Sequence, residues 1–194
     1  MKLSILIPTT VDREDQFNRL TKYLFKQIEE NSLQNEIEVQ YICDTKEMSV
    51  GAKRQLLYEM AKGEYSWMID DDDWIAYDAI AGVYNELDGI CDCVGFKELC
   101  IFDGKRVESS NFSLVYPGWM DNYDGFNHVR TPFFKTPIKT KLCLEAGVKD
   151  QRWGEDNDFA IRIYPYLETE NYIDEFVYIY QHNSSPHNDR YGIK

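Results

Sequence analysis

The sequence is poor in the features that mark several large protein classes. No apolar stretch approaches the roughly 18 residues needed to span a bilayer. The opening "MKLSILIPTT" is too short for a secretory signal core and has no small-residue cleavage site. A transmembrane anchor is therefore not expected, and the expectation is a cytoplasmic protein. Five cysteines, at 43, 91, 93, 100 and 143, contain no C-x-x-C pair. Cys91 and Cys93 share a face if extended, which fits strand packing, and reduced thiols fit a cytosolic setting. No internal repeat, low-complexity segment or domain-dividing linker is evident. Basic charge is scarce too. The net charge of −13 argues against stable nucleic-acid binding, since phosphate recognition needs a surplus of Lys and Arg.

Against this background the 194 residues read as one folded domain, long enough to bury a substantial core. Charge is uneven along it. Between Gly125 and Trp153 there are six bases, Arg130, Lys135, Lys139, Lys141, Lys149 and Arg152, against Glu145 and Asp150. That segment is either a solvated basic face or a patch that meets an anionic ligand.

Hydrophobic periodicity orders the first half. "LSILIP" is a continuous apolar run closed by Pro8, as expected of a buried strand. Phe17, Leu20, Leu24, Phe25 and Ile28 recur at helical spacing. "EIEVQYIC" reads as a second strand ending at Asp44. "SVGAKRQLLYEMAKG" reads as a helix with Ser49 as N-cap and Gly63 as C-cap. "YSWMI" is a third strand and "AYDAIAGVYNEL" a third helix. The resulting β-α-β-α-β-α order predicts a mostly parallel sheet with right-handed crossovers. In such sheets, ligands bind beyond the carboxyl ends of the strands.

The second half reads as a smaller mixed or antiparallel part. "CDCVGFKELCIFDGKRVES" predicts a hairpin turning at Asp103–Gly104. "SLVYPGW" and "HVRTPFFK" suggest short strands, "KTKLCLEAG" a helix closed by Gly147, and "EDNDFAIRIYPYL" another helix. "IDEFVYIYQH" is a final strand ending at His182. The polar tail 183–194 is expected to be mobile.

"SWMIDDDDW" (Ser66–Trp74) is the sharpest chemical signal. Four adjacent carboxylates at a strand end either bind a hard cation, share a proton or stand as solvated loop charge. Mg²⁺ or Mn²⁺ held by one or two carboxylates plus substrate phosphates would neutralise charge on a departing phosphate.

The ordered set "SILIPTT", "ICDTKEMSVGAKRQLL", "AKGEYSWMIDDDDW" and "WGEDNDFAIRI" resembles family 2 glycosyltransferases of the GT-A fold over residues 1–182. That resemblance implies a single Rossmann-like α/β domain. Residues 1–98 would bind a nucleotide-sugar donor, with UDP-linked sugars the expectation the resemblance favours, and residues 99–182 would bind the acceptor and carry the catalytic groups. Pro8, Thr9 and Asp44 would meet the base, and Arg54 the base or diphosphate. Asp70 and Asp71 would lie at the donor, with Asp70 on the ribose. Asp72 would hold Mn²⁺ or Mg²⁺, with His182 a second ligand and His187 its rival. The aspartate register stays open, with Asp71 and Asp73 as the rival pair. Asp156 would be the base that deprotonates an acceptor hydroxyl, with Glu155 orienting it. His128 could touch the acceptor, and Trp119 and Trp153 could stack on sugar rings.

Each assignment has a plainer reading. Arg54 could be an exposed helix charge, and Thr9 and Asp44 could be turn caps. Glu155 and Asp156 could simply favour the helix macrodipole. The histidines could be surface residues and the tryptophans core residues. Two other functions compete: a sugar-phosphate nucleotidyltransferase, and a silent nucleotide- or carbohydrate-binding module. The first would want a glycine-rich phosphate loop, which "PTTVDRED" lacks.

Overall fold

A computed structural model describes residues 1–182 of the chain; the tail, with His187, lies outside the described residues. Strand β1 (Leu3–Thr10) is followed by a single 3₁₀ turn (Val11–Arg13), helix α1 (Glu14–Glu30) and strand β2 (Ile37–Asp44). Helix α2 (Val50–Met60), strand β3 (Tyr65–Met68), the two-residue strand β4 (Trp74–Ile75) and helix α3 (Ala79–Glu86) complete the first half. Then come β5 (Cys93–Phe102), β6 (Arg106–Phe112), β7 (Met120–Tyr123), β8 (Phe126–Arg130) and β9 (Ile138–Lys139). Helices α4 (Thr140–Ala146) and α5 (Glu155–Ile163) precede the last strand, β10 (Glu170–His182).

One mixed sheet runs in the order β2-β1-β3-β9-β5-β6-β8-β7, with β10 paired to β5 and β4. β1 lies parallel to both β2 and β3. Every residue of β1 from Leu3 to Thr9 is buried, because helices cover both faces of this parallel part. That explains its unbroken apolar run. Leu20, Leu24 and Ile28 turn one stripe of α1 into the core. Gln27 is buried beside them and satisfied: its amide donates to the Ala76 carbonyl at 2.8 Å and its oxygen accepts from the Ile80 amide at 3.1 Å. It ties α1 to the start of α3. The Ser49 hydroxyl accepts from the Ala52 amide at 3.0 Å, so α2 has the expected N-cap.

The other end of α2 differs from expectation. The helix stops at Met60 with Ala61 as its C-cap. Gly63 serves close packing instead. A Cβ there would stand 2.4 Å from the Ser4 amide nitrogen and 2.6 Å from the Leu3 carbonyl carbon. Gly63→Ala is expected to destabilise the fold by about 1–3 kcal/mol through overpacking, read by urea denaturation. An unchanged midpoint would show that β1 can give way.

The second half departs more. The turn at Asp103 and Gly104 forms as expected, with φ of 52° and 65°. "SLVYPGW", however, is irregular up to Trp119. An unforeseen hairpin, β7 with β8, turns through Asp124 and Gly125 at φ of 53° and 80°. β8 stops at Arg130 rather than running on through "TPFFK". Helix α5 ends at Ile163, and Tyr164–Tyr166 form a 3₁₀ turn.

Candidate active site

β1, β2 and β3 end side by side, and their ends are linked by charge. The Thr9 hydroxyl donates to Asp71 at 2.6 Å. Lys53, buried in the first turn of α2, donates to the Thr9 carbonyl at 2.6 Å and pairs with Asp44. Asp44 also accepts from the Met48 amide at 2.7 Å, so it closes the turn leading into α2. Burial opposes ionisation of Asp44, but Lys53 and the backbone amides outweigh it and hold its carboxyl below the usual range. Pro8 and Thr9 are buried and form the floor of this edge.

The four aspartates alternate. Asp71 and Asp73 point inward, with side chains fully buried. Asp70 and Asp72 keep 30% and 13% of their side-chain surface exposed, which makes them the outward pair. Each carboxylate has a basic partner. Arg54 lies 3.0 Å from Asp70. Arg13 bridges Asp71, at 3.0 Å, and Asp72. Lys135 lies 3.9 Å from Asp73 and 2.6 Å from Glu98. Asp73 also accepts from the Tyr178 hydroxyl and the Gln181 amide, both at 2.9 Å. Burial pushes Asp73 upward against the pull of Lys135. Burial works against the charge on Lys135, yet Glu98 and Asp73 outweigh it and hold its pKa up.

Arg54 joins the two halves of the chain. It is buried, not an exposed helix charge. Its guanidinium stands 3.0 Å from Asp70, 3.7 Å from Glu155 and 4.5 Å from the Phe134 ring centre. Burial raises the Glu155 carboxyl, with Arg54 opposing. Glu155 and Asp156 open α5, whose N-cap is Gly154 at φ 71°. Phe159 anchors that helix by stacking on Phe134 at 4.3 Å. Asp156 is partly buried and accepts from the Asn157 amide at 2.7 Å. Asp158 pairs instead with Lys149 and lies 3.9 Å from Arg162.

His182 ends β10, next to the Gln181 amide that holds Asp73. Its Nδ1 lies 3.4 Å from the Tyr180 hydroxyl, and its ring packs on Phe102 at 5.6 Å. His128 is a hairpin tie, with Asp121 at 2.8 Å and Glu108 at 2.9 Å. Trp119 packs on Phe133 at 5.2 Å, whereas Trp153 is exposed just before α5. Five of the six bases in the basic segment are engaged by other groups, and Lys141 is exposed. Arg130, Lys135, Lys139 and Lys149 pair with Asp121, Glu98, Asp92 and Asp158, and Arg152 donates to the Lys46 and Glu47 carbonyls.

Among the described residues, no three His, Cys, Asp or Glu side chains are grouped to hold a metal. Asp72 still suits a hard cation that completes its shell with donor phosphates and water, as Mg²⁺ commonly does. The charge balance fits such an ion. Among the described residues, Asp44, Asp70, Asp71, Asp72, Asp73, Glu98 and Glu155 pair with Lys53, Arg54, Arg13 and Lys135. Acids outnumber bases in this set, a balance that suits an added cation.

No protein-family model matches the chain, and no curated protein matches it by sequence. Solved structures do match in shape. Residues 1–349 of S. aureus TarS in complex with UDP superpose with a TM-score of 0.68 at 18% identity, over 93% of this chain and 60% of that one. The same TarS segment in complex with UDP-GlcNAc gives 0.63 at 17% identity, over 96% of this chain and 60% of that one. The catalytic domain of Drosophila β1,4-galactosyltransferase 7, in complex with xylobiose, gives 0.62 at 14% identity, over all of this chain and 76% of that one. The chain thus spans about 60% of the length of the TarS structures. The mixed α/β sheet of this chain thus shares its fold, the GT-A fold, with these structures.

Proposed function

We propose that the chain is a glycosyltransferase that moves a sugar from a nucleoside-diphosphate sugar, UDP-linked, to an acceptor hydroxyl with inversion. One observation carries this reading: Arg54 draws Asp70, beside the outward Asp72, against Glu155 at the head of α5. The carboxylate proposed for the donor and the one proposed to orient the acceptor or the base thereby share one cation at one sheet edge. The UDP and UDP-GlcNAc bound to TarS favour a uridine donor here.

The donor would lie across the ends of β1, β2 and β3, over the floor made by Pro8, Thr9 and Asp44. Asp70 would accept from the ribose hydroxyls. Asp71, buried under Thr9 and Arg13, would brace that surface from below. Asp72, with His182, would hold Mn²⁺ or Mg²⁺, which supplies charge stabilisation to the departing diphosphate. Asp156 would take the proton of the acceptor hydroxyl as its oxygen bonds to the anomeric carbon. The bond from that carbon to the diphosphate oxygen breaks in the same displacement, and the diphosphate leaves with the electron pair. Glu155, fixed by Arg54, would orient the acceptor or Asp156.

The test is the product's anomeric configuration, followed by NMR. Inversion is expected from a single displacement. Retention would exclude one base driving one attack.

A further inference from the structure

Arg13 lies in none of the motifs that carry the sequence resemblance, yet it touches the two central aspartates. It closes the one-turn 3₁₀ segment directly after β1. One of its terminal nitrogens contacts both Asp71 and Asp72, and its side chain is 28% exposed. Asp71 is fully buried and also held by Thr9, so this side of the bridge is fixed. Asp72 keeps some access to solvent. The Asp72 carboxylate that would bind a divalent cation is therefore already engaged by a protein cation.

We propose that Arg13 is a latch. In the donor-free protein it occupies Asp72 and keeps divalent cations off; the donor's diphosphate draws the guanidinium away and opens Asp72 to the metal. This rests on the donor reading above. The physical ground is competition for the same oxygens. A guanidinium and a divalent ion cannot both take the exposed face of one carboxylate at full strength. A diphosphate is a better partner for a guanidinium than a single carboxylate is, because it offers several anionic oxygens in matching geometry. Metal and donor would then load together, and the unloaded site would not trap free metal.

The experiment is Mn²⁺ titration of the full chain, followed by the electron paramagnetic resonance of free Mn²⁺, with and without UDP. Arg13→Ala and Arg13→Gln are compared with the native protein after thermal melts confirm folding; the glutamine keeps the side chain's reach without its charge. Without UDP, both variants should bind Mn²⁺ about tenfold more tightly, the size expected for removing one charge-assisted contact of ~1.5 kcal/mol. Adding Asp72→Asn to either variant should abolish that gain. With UDP present, the native protein should close most of the gap. Equal Mn²⁺ affinity of native and variant proteins without UDP would overturn the latch. Tighter binding in the variants that UDP leaves unchanged in every protein, although calorimetry shows UDP to bind, would overturn the release by diphosphate; no UDP binding to any of the proteins would overturn the donor reading.

Discussion

Asp156→Asn should leave donor affinity intact and lower kcat by about 10²–10⁴-fold, the usual worth of general-base assistance. The amide keeps the size of the carboxylate and can still accept from the Asn157 amide, the contact made in the native protein. Folding and donor binding should therefore survive while proton acceptance is lost. Glu155→Gln should have a smaller effect on kcat if Glu155 only orients its neighbour. The two acids have different partners: Glu155 is against Arg54 and raised by burial, whereas Asp156 accepts from the Asn157 amide. Steady-state kinetics of both variants decide the roles. Near-normal kcat for Asp156→Asn with a dead Glu155→Gln would exchange them. Two active variants would return both acids to a purely helix-stabilising role.

Arg54→Ala should destabilise the fold. It would strip Asp70 and Glu155 of a shared cation and empty the space on Phe134. Breaking a buried ion pair costs ~3–5 kcal/mol; with Asp70 partly exposed and screened, about 2–4 kcal/mol is expected here. Urea denaturation should show the midpoint falling with little change in slope. Arg54→Lys should recover only part of the loss, because an ammonium cannot present a planar fork to two carboxylates and stack on a ring. Unchanged stability of Arg54→Ala would mean that the contacts joining α2 to α5 contribute little.

These two substitutions fall on residues that the sequence already singles out, and that reflects what local chemistry can encode. β1 was legible because burial on both faces leaves an unbroken apolar run, and Ser49 because an N-cap is a local signal. The Asp103–Gly104 hairpin was legible from its turn residues. The β7–β8 hairpin was not, because "MDNY" and "FNHVR" are polar and lack clear alternation, although Asp124–Gly125 carries the same turn chemistry. Gly63 was misread because a glycine after a helical pattern suits a C-cap equally well; only the approach of β1 reveals its role.

The site divides in the same way. Its carboxylates stand out because they are clustered, but their cations do not. Arg13 looks like any charge at a helix start, and Lys53 like one more polar residue on α2. Lys135 was noted only as part of a basic segment, and Tyr178 as a strand residue. Their pairings with Asp72, Asp44, Asp73 and Glu98 exist only after the sheet brings distant segments together. Alternation shows only after folding: Asp70 and Asp72 keep more side-chain exposure, whereas Asp71 and Asp73 are buried in internal ties.

The central claim, that this sheet edge transfers sugar from a nucleotide-sugar donor, is tested most directly by nucleoside-diphosphate release. The native chain is incubated with a panel of UDP-sugars, with and without Mn²⁺, and free UDP is measured over time. The account predicts Mn²⁺-dependent release of UDP from at least one of them, lost in Asp72→Asn and strongly reduced in Asp156→Asn once an acceptor is supplied. No release from any UDP-sugar by folded protein in the presence of Mn²⁺, together with no detectable UDP binding, would contradict it.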